Sequence, residues 1–313
     1  MRAVLAILIL AASHGAALAQ DAPGDASGLA CSEFRAEVLR DLAAEPDPIH
    51  VNNLLFDAAN KGCVSLLPTL KQAGASPLAR DRQGDDALAH AARMGRVAMV
   101  VALLDVDAAT REVELNRPDV VGSTPLIVAA LADRAAAAQR LIEADADVNF
   151  VNAQGETALS AAAYRANFEL VSALLAHGAK PATVDRTAKS PILYAAARGS
   201  DRIVAALLDR GIDPNARYGA DLTALMWAAG YADTAPADGA LRTVRLLLSR
   251  GAKLDLVDDR GRSALMIAAQ LGHADIVEAL LDAGAEKTLK DKSGKTARDL
   301  AGIPDIQALL APP

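Results

Sequence analysis

Residues Asp258 to Lys290 read DDRGRSALMIAAQLGHADIVEALLDAGAEKTLK, and the order of turn formers, caps and apolar positions in this stretch decides the fold. Gly261 supplies a turn residue able to take positive φ. Ser263 then stands at a helix N-cap, where its hydroxyl meets orphan backbone N–H groups. Leu265, Ala268 and Ala269 share one face of a short helix that Gly272 ends. Ile276, Val277, Leu280 and Leu281 recur at helical spacing in a second helix. Gly284 stops that helix as a C′ glycine does. Neither helix can bury its apolar face alone, so the unit requires copies of itself on both sides.

The copies appear on aligning the residue two places after each N-cap: Leu55, Leu88, Leu126, Leu159, Ile192, Leu225 and Leu265, in steps of 33, 38, 33, 33, 33 and 40. A degenerate eighth copy, KTARDLA from Lys295, places Arg298 another 33 residues on. The openings read STPLIVAA from Ser123, ETALSAAA from Glu156, KSPILYAA from Lys189, LTALMWAA from Leu222 and RSALMIAA from Arg262. With this period and these openings the chain resembles the ankyrin repeat family over roughly Pro48 to Leu310. The fold so implied is an all-α solenoid, helix-turn-helix repeats with β-turn fingers, about seven repeats plus caps. Composition agrees, with 52% apolar residues but only 3% aromatic ones. Stacked neighbours, rather than one large core, supply the buried area.

Three segments are expected: a signal peptide over 1–19, a tether and N-terminal capping helix over 20–50, and the repeats over 51–313. Arg2 gives a positive start, VLAILILAA from Val4 to Ala12 an apolar run, and Ala17-Leu18-Ala19 a cleavage site before Gln20. The apolar run is short for a membrane span. Cleavage after Ala19 implies a periplasmic or secreted protein with no membrane attachment thereafter. Export permits a bridge between Cys31 and Cys63. That bridge would fasten the capping helix, striped by Cys31, Phe34, Val38 and Leu42, to the first repeat. The alternative is two unpaired, partly buried thiols. The formal charge is −7, and losing Arg2 with the signal makes it more negative, which argues against nucleic-acid binding.

No catalytic constellation stands out: there is no G-x-S-x-G, H-E-x-x-H, phosphate loop or G-x-G-x-x-G. His50, His90, His177 and His273 lie a repeat or more apart and read as structural or solvated. The pairs Asp105/Asp107, Asp145/Asp147 and Asp258/Asp259 lack the alternation of a calcium loop. The expectation is therefore no enzyme, no cofactor and no metal. Asp145 and Ala188 stand where the repeat calls for glycine. Asp105 to Asp119 reads as a lengthened finger, and Tyr231 to Val244 contains a second insertion. Trp227 and Tyr194 occupy equivalent positions, read either as packing between repeats or as an aromatic ledge.

The resemblance implies a binding surface made of fingertips and first-helix ends. Carried onto this chain, the helix-end positions are Arg93, Met94, Leu131, Tyr164, Arg165, Arg198, Tyr231, Gln270 and Leu271. The fingertips include Arg82, Gln83, Asp85, Val120, Val121, Gln154, Glu156, Arg186, Lys189, Leu222, Arg260 and Arg262. The function so implied is a monomeric scaffold that holds a protein partner on its concave face. Two alternatives stand beside it. One is a haem or small-molecule chaperone, an accessory factor for a stress-related enzyme, using His90, Met94 and the Trp227/Tyr194 ledge. The other is an enzyme with a site assembled across repeats.

Overall fold

The computed structural model describes residues 28–44, 46–105, 108–230 and 238–311. The expected signal peptide, most of the tether, Asp107 and, of the second insertion (Tyr231 to Val244), residues Tyr231 to Ala237 lie outside them. Among the described residues there are α-helices and short 3-10 turns and no strand. Helix α1 (Gly28–Ala43) comes first. The first helices of the repeats are α2 (Pro48–Lys61), α4 (Ala87–Arg93), α7 (Pro125–Leu131), α9 (Ala158–Tyr164), α11 (Pro191–Ala197), α13 (Ala224–Gly230), α15 (Ala264–Leu271) and α17 (Ala297–Leu300). Their second helices are α3 (Leu67–Gln72), α5 (Val97–Leu104), α8 (Ala135–Glu143), α10 (Phe168–Ala176), α12 (Asp201–Asp209), α14 (Gly239–Ser249), α16 (Ala274–Asp282) and α18 (Pro304–Leu309). Each first helix packs on the first helices before and after it, and from α5 onward the second helices do the same, giving two layers.

Helices of seven residues are far too short to persist alone in water, so packing holds them. Paired alanines make the close stacking possible. Ala91 and Ala92, Ala129 and Ala130, Ala162 and Ala163, and Ala228 and Ala229 are completely buried. Leucines two places after the cap, such as Leu126 and Leu159, fill the space between layers. Caps set the helix starts: the Thr157 and Ser263 side chains accept from the backbone N–H of Ser160 and Met266.

The fingers are built by one recurrent device. A carboxylate or amide oxygen accepts two backbone N–H bonds, as Asp119 does from Val121 and Ser123 and Asp258 does from Arg260 and Arg262. Each finger then donates one bond to its predecessor. Val120 N–H reaches Gln83 O at 2.9 Å, Ala153 N–H reaches Val121 O at 3.1 Å, and Arg186 N–H reaches Gln154 O at 2.8 Å. The ladder continues through Gly219, Asp259 and Lys292. Asp145 (φ 69°) and Ala188 (φ 58°) do adopt the left-handed backbone expected of the glycines they replace.

Two features differ from the sequence reading. Helix α2 starts at Pro48 with Asp47 as its cap, so residue 51 falls inside its first turns. Helix α2 contacts α1, and in the extra length His50 Nε2 lies 3.1 Å from Asp41 Oδ2 of α1. The stretch from Asp105 to Asp119 is not a long finger: it holds an added helix, α6 (Ala108–Asn116). Leu115 is buried and anchors it. Arg111 donates to Leu104 O at 2.9 Å and Arg117 to Leu78 O at 2.7 Å, which returns the chain to the finger.

Cys31 and Cys63 form a disulfide that joins α1 to the turn after α2, with Cα atoms 5.5 Å apart. Phe34 and Val38 are buried beneath α1, completing the apolar closure of that end. Among the described residues, α17, four residues long, and α18, six residues long, lie at the other end. Arg298, at the usual leucine position, is exposed.

One cap carries a pH dependence. Asp86 is buried, and its side chain accepts from Ala89 N–H at 2.9 Å at the start of α4. Burial raises its pKa from the ordinary 3.8 to about 6, against the opposing effect of that bond. The folded state therefore holds the Asp86 proton more tightly than the unfolded chain does. This group favours folding most below pH ~4, and that contribution falls as pH rises to ~6. Asn at this position keeps the cap without the charge. Asp86→Asn should stabilise the protein by up to about 3 kcal/mol at pH 7. The gain should vanish towards pH 4. Denaturant titrations at the two pH values check this, and an equal effect at both would sink it.

Candidate partner-binding face

The finger bases and the C-terminal ends of the first helices lie side by side. The centre of this face comes from repeats four to six. Tyr164 ends α9 with 39% of its surface exposed. Its ring meets that of Tyr194 edge to face, with centroids 5.7 Å apart. The Arg165 guanidinium lies 5.7 Å from the Tyr164 ring. Lys189, at the base of the next finger, holds its ammonium 5.8 Å from the ring centroids of both Tyr194 and Trp227. Trp227 itself is buried, so the ledge read from the sequence is made of packed rings with Tyr164 as its open edge.

Tyr194 is fixed from below by its phenol, which donates to the buried carboxylate of Asp185. Asp185 also accepts from Thr187 Oγ1 and Thr187 N–H at 2.7 Å and from Lys189 N–H at 3.1 Å. Burial works to raise the Asp185 pKa, but these hydrogen bonds outweigh it and hold the carboxyl below its ordinary value. Burial, then the Asp185 charge, pushes the Tyr194 phenol up, so it stays a neutral donor. The ring is therefore positioned by the finger and not free to turn.

The same contact recurs in repeat two, where His90 Nε2 lies 3.1 Å from Asp81 Oδ2. The His90 ring stacks on Phe56 at 5.1 Å, and its Nδ1 lies 3.1 Å from Asn60 Oδ1. Asp81, Asp85 and His90 bring three ligand-type atoms within 4.8 Å of one another. Those groups are already engaged: Asp81 with His90, and buried Asp85 with Arg93 at 2.5 Å. Both His90 nitrogens are occupied in the same way, which does not favour the haem alternative. A spacing of nine residues from finger acid to helix donor links Asp81 with His90 and Asp185 with Tyr194. That spacing was present in the sequence as a signal for both contacts.

The remaining helix-end positions fall in separate groups. Leu131 is half-buried, and its carbonyl accepts from Arg165 Nε at 2.6 Å. Arg198 caps α11 and is exposed. Met94 is exposed beside the half-buried Arg93. Leu271 is exposed, and half-buried Gln270 accepts from Arg262 at 3.2 Å. Tyr231 lies outside the described residues. Asp85 is buried, unlike the exposed fingertips Arg82, Gln83, Val120, Val121, Gln154, Arg186 and Arg260. Glu156, Lys189, Leu222 and Arg262 are half-buried at finger bases.

A family model described as ankyrin repeats (3 copies) matches residues 55–152, 134–218 and 216–291. Ankyrin repeat domain-containing protein 63 of Mus musculus is 40% identical over 85 residues, 27% of this chain and 20% of that protein. Its Homo sapiens counterpart is 42% identical over 85 residues, 27% of this chain and 21% of that protein. A putative ankyrin repeat-containing protein of Treponema pallidum (strain Nichols) is 48% identical over 56 residues, 18% of this chain and 19% of that protein. The matched segments span about a fifth of each of these relatives.

Proposed function

This chain belongs to the ankyrin repeat family, and on that premise we propose that it is a non-enzymatic, exported, monomeric scaffold that holds a protein partner against its finger-and-helix-end face. The observation carrying the proposal is the Tyr164 ring, exposed at the centre of that face and fixed edge-on to Tyr194. Tyrosine and arginine are the residue types that dominate binding energy at protein interfaces. A face already ordered by its fingers loses little entropy when a partner docks. The signal-like residues 1–19 support a periplasmic address, with secretion second.

The test is crosslinking in the native host's periplasmic fraction, read by mass spectrometry, with wild type beside a Tyr164→Ala/Arg198→Ala variant. The protein should be recovered there with Gln20 as its first residue. The variant should lose the wild-type crosslinks by about tenfold, as for an interface centre. Identical crosslinks from both proteins would remove this face from the proposal, and recovery outside the periplasm would remove the address.

A further inference from the structure

The chain carries a formal charge of −7, yet the centre of the proposed face is positive. Arg165 and Arg198 cap neighbouring helices α9 and α11 and are exposed. Arg186 stands exposed on the finger between them, with Lys189 at its base. Among the described residues, none of these four cations has a carboxylate within ion-pair distance. Arginines elsewhere do: Arg93 with Asp85, Arg250 with Asp209 and Arg262 with Asp258. The acids nearby in sequence are already engaged. Asp185 is buried under Tyr194, and Glu156 accepts from Asn152 at 2.9 Å. Uncompensated like charges repel one another until an opposite charge docks, and such complementarity sets partner choice and encounter rate.

We propose that this face receives an extended acidic peptide segment of the partner, with an apolar side chain against Tyr164 and carboxylates on Arg165 and Arg198. The inference rests on the scaffold reading above. Arg165 and Arg198 hold equivalent places on adjacent stacked helices, and packed helices lie about 8–10 Å apart. An extended polyproline II chain advances about 3.1 Å per residue and returns every third side chain to the same side. Acids three residues apart therefore match successive cations, which specifies a Glu-x-x-Glu spacing flanked by Phe or Leu. A nucleic acid would meet the same cations but also the repulsion of the acidic remainder.

Fluorescence anisotropy with 12-residue peptides tests this. The probes are a Phe-bearing Glu-x-x-Glu peptide, its Gln-x-x-Gln isostere, its Lys-x-x-Lys counterpart and oligothymidine of similar length. The Glu peptide should bind about tenfold tighter than the Gln isostere and weaken several-fold as salt rises from 0.05 to 0.3 M, about what screening of surface pairs allows. Arg198→Glu, with an unchanged circular dichroism spectrum, should abolish that preference. Equal binding of Glu and Gln peptides, no binding by either, or tighter binding of oligothymidine overturns the inference. If the uncharged peptide binds as well and Tyr164→Ala removes it, the scaffold reading stands and only the acidic chemistry fails. If no peptide binds and the crosslinks ignore Tyr164, both fail.

Discussion

Replacing Cys31 and Cys63 together by alanine should lower the stability of the N-terminal repeats by about 3–4 kcal/mol, the entropy of closing a loop of this length in the unfolded chain. The two cysteines are 32 residues apart in sequence, and the loop they close holds all of α1 after its first turn and all of α2. Outside the bridge, α1 is held mainly by Phe34 and Val38 on the face it covers. Without the bridge, that short apolar stripe alone must repay the ordering of a 16-residue helix. The effect should be local, because repeat arrays sum neighbouring terms rather than sharing one core. Hydrogen exchange should speed up in α1 and α2 and stay unchanged in α15 and α16. A reductant should reproduce the shift in wild type and do nothing further to the variant. Unchanged exchange in α1 would refute the assignment of the bridge as the fastening of that end.

Gly155→Ala should cost about 3 kcal/mol or more, whereas Gly178→Ala should cost about 1 kcal/mol, although both glycines have the same backbone conformation. Their φ angles are +82° and +83°. A Cβ on Gly155 would lie 2.9 Å from the backbone nitrogen of Arg186, and that nitrogen donates to Gln154 O in the finger ladder. Backbone cannot swing aside as a flexible side chain can. Nothing lies within 4 Å of the equivalent point on Gly178. The second variant therefore measures the conformational penalty alone, and the difference measures the finger contact. Because Gly155 sits mid-array, its substitution should also split a single denaturant transition into two, as coupling between the halves weakens. Equal losses for the two variants would show that the fingers do not bear on stability.

What could be read from the sequence follows the repeat closely. The period, the alanine pairs, the caps at Thr124, Thr157 and Ser263, and the left-handed Asp145 and Ala188 are local rules repeated in register. Comparison with sibling repeats made them visible. Where no sibling existed, the reading failed. The insertion that holds α6 reads as a finger in the sequence because its run AATREVELN has no counterpart in the other repeats. Burial of Asp85 does not follow from its place in the repeat: of its equivalents Ser123 is buried, whereas Glu156, Lys189, Leu222 and Arg262 are half-buried. Within the candidate face, Tyr164, Arg165 and Arg198 were named from helix-end position. The Tyr194–Asp185 bond and the Lys189 bridge between two rings depend on side-chain direction across repeats, which position alone does not supply.

The unequal ends give the molecule a direction. One end is riveted by a covalent link; among the described residues the other finishes in two stubby helices, the first with Arg298 exposed. On heating, the repeats held by the covalent link are expected to open later than those without one. Anything docked at repeats four to six would then sit beside an end that keeps its shape longest.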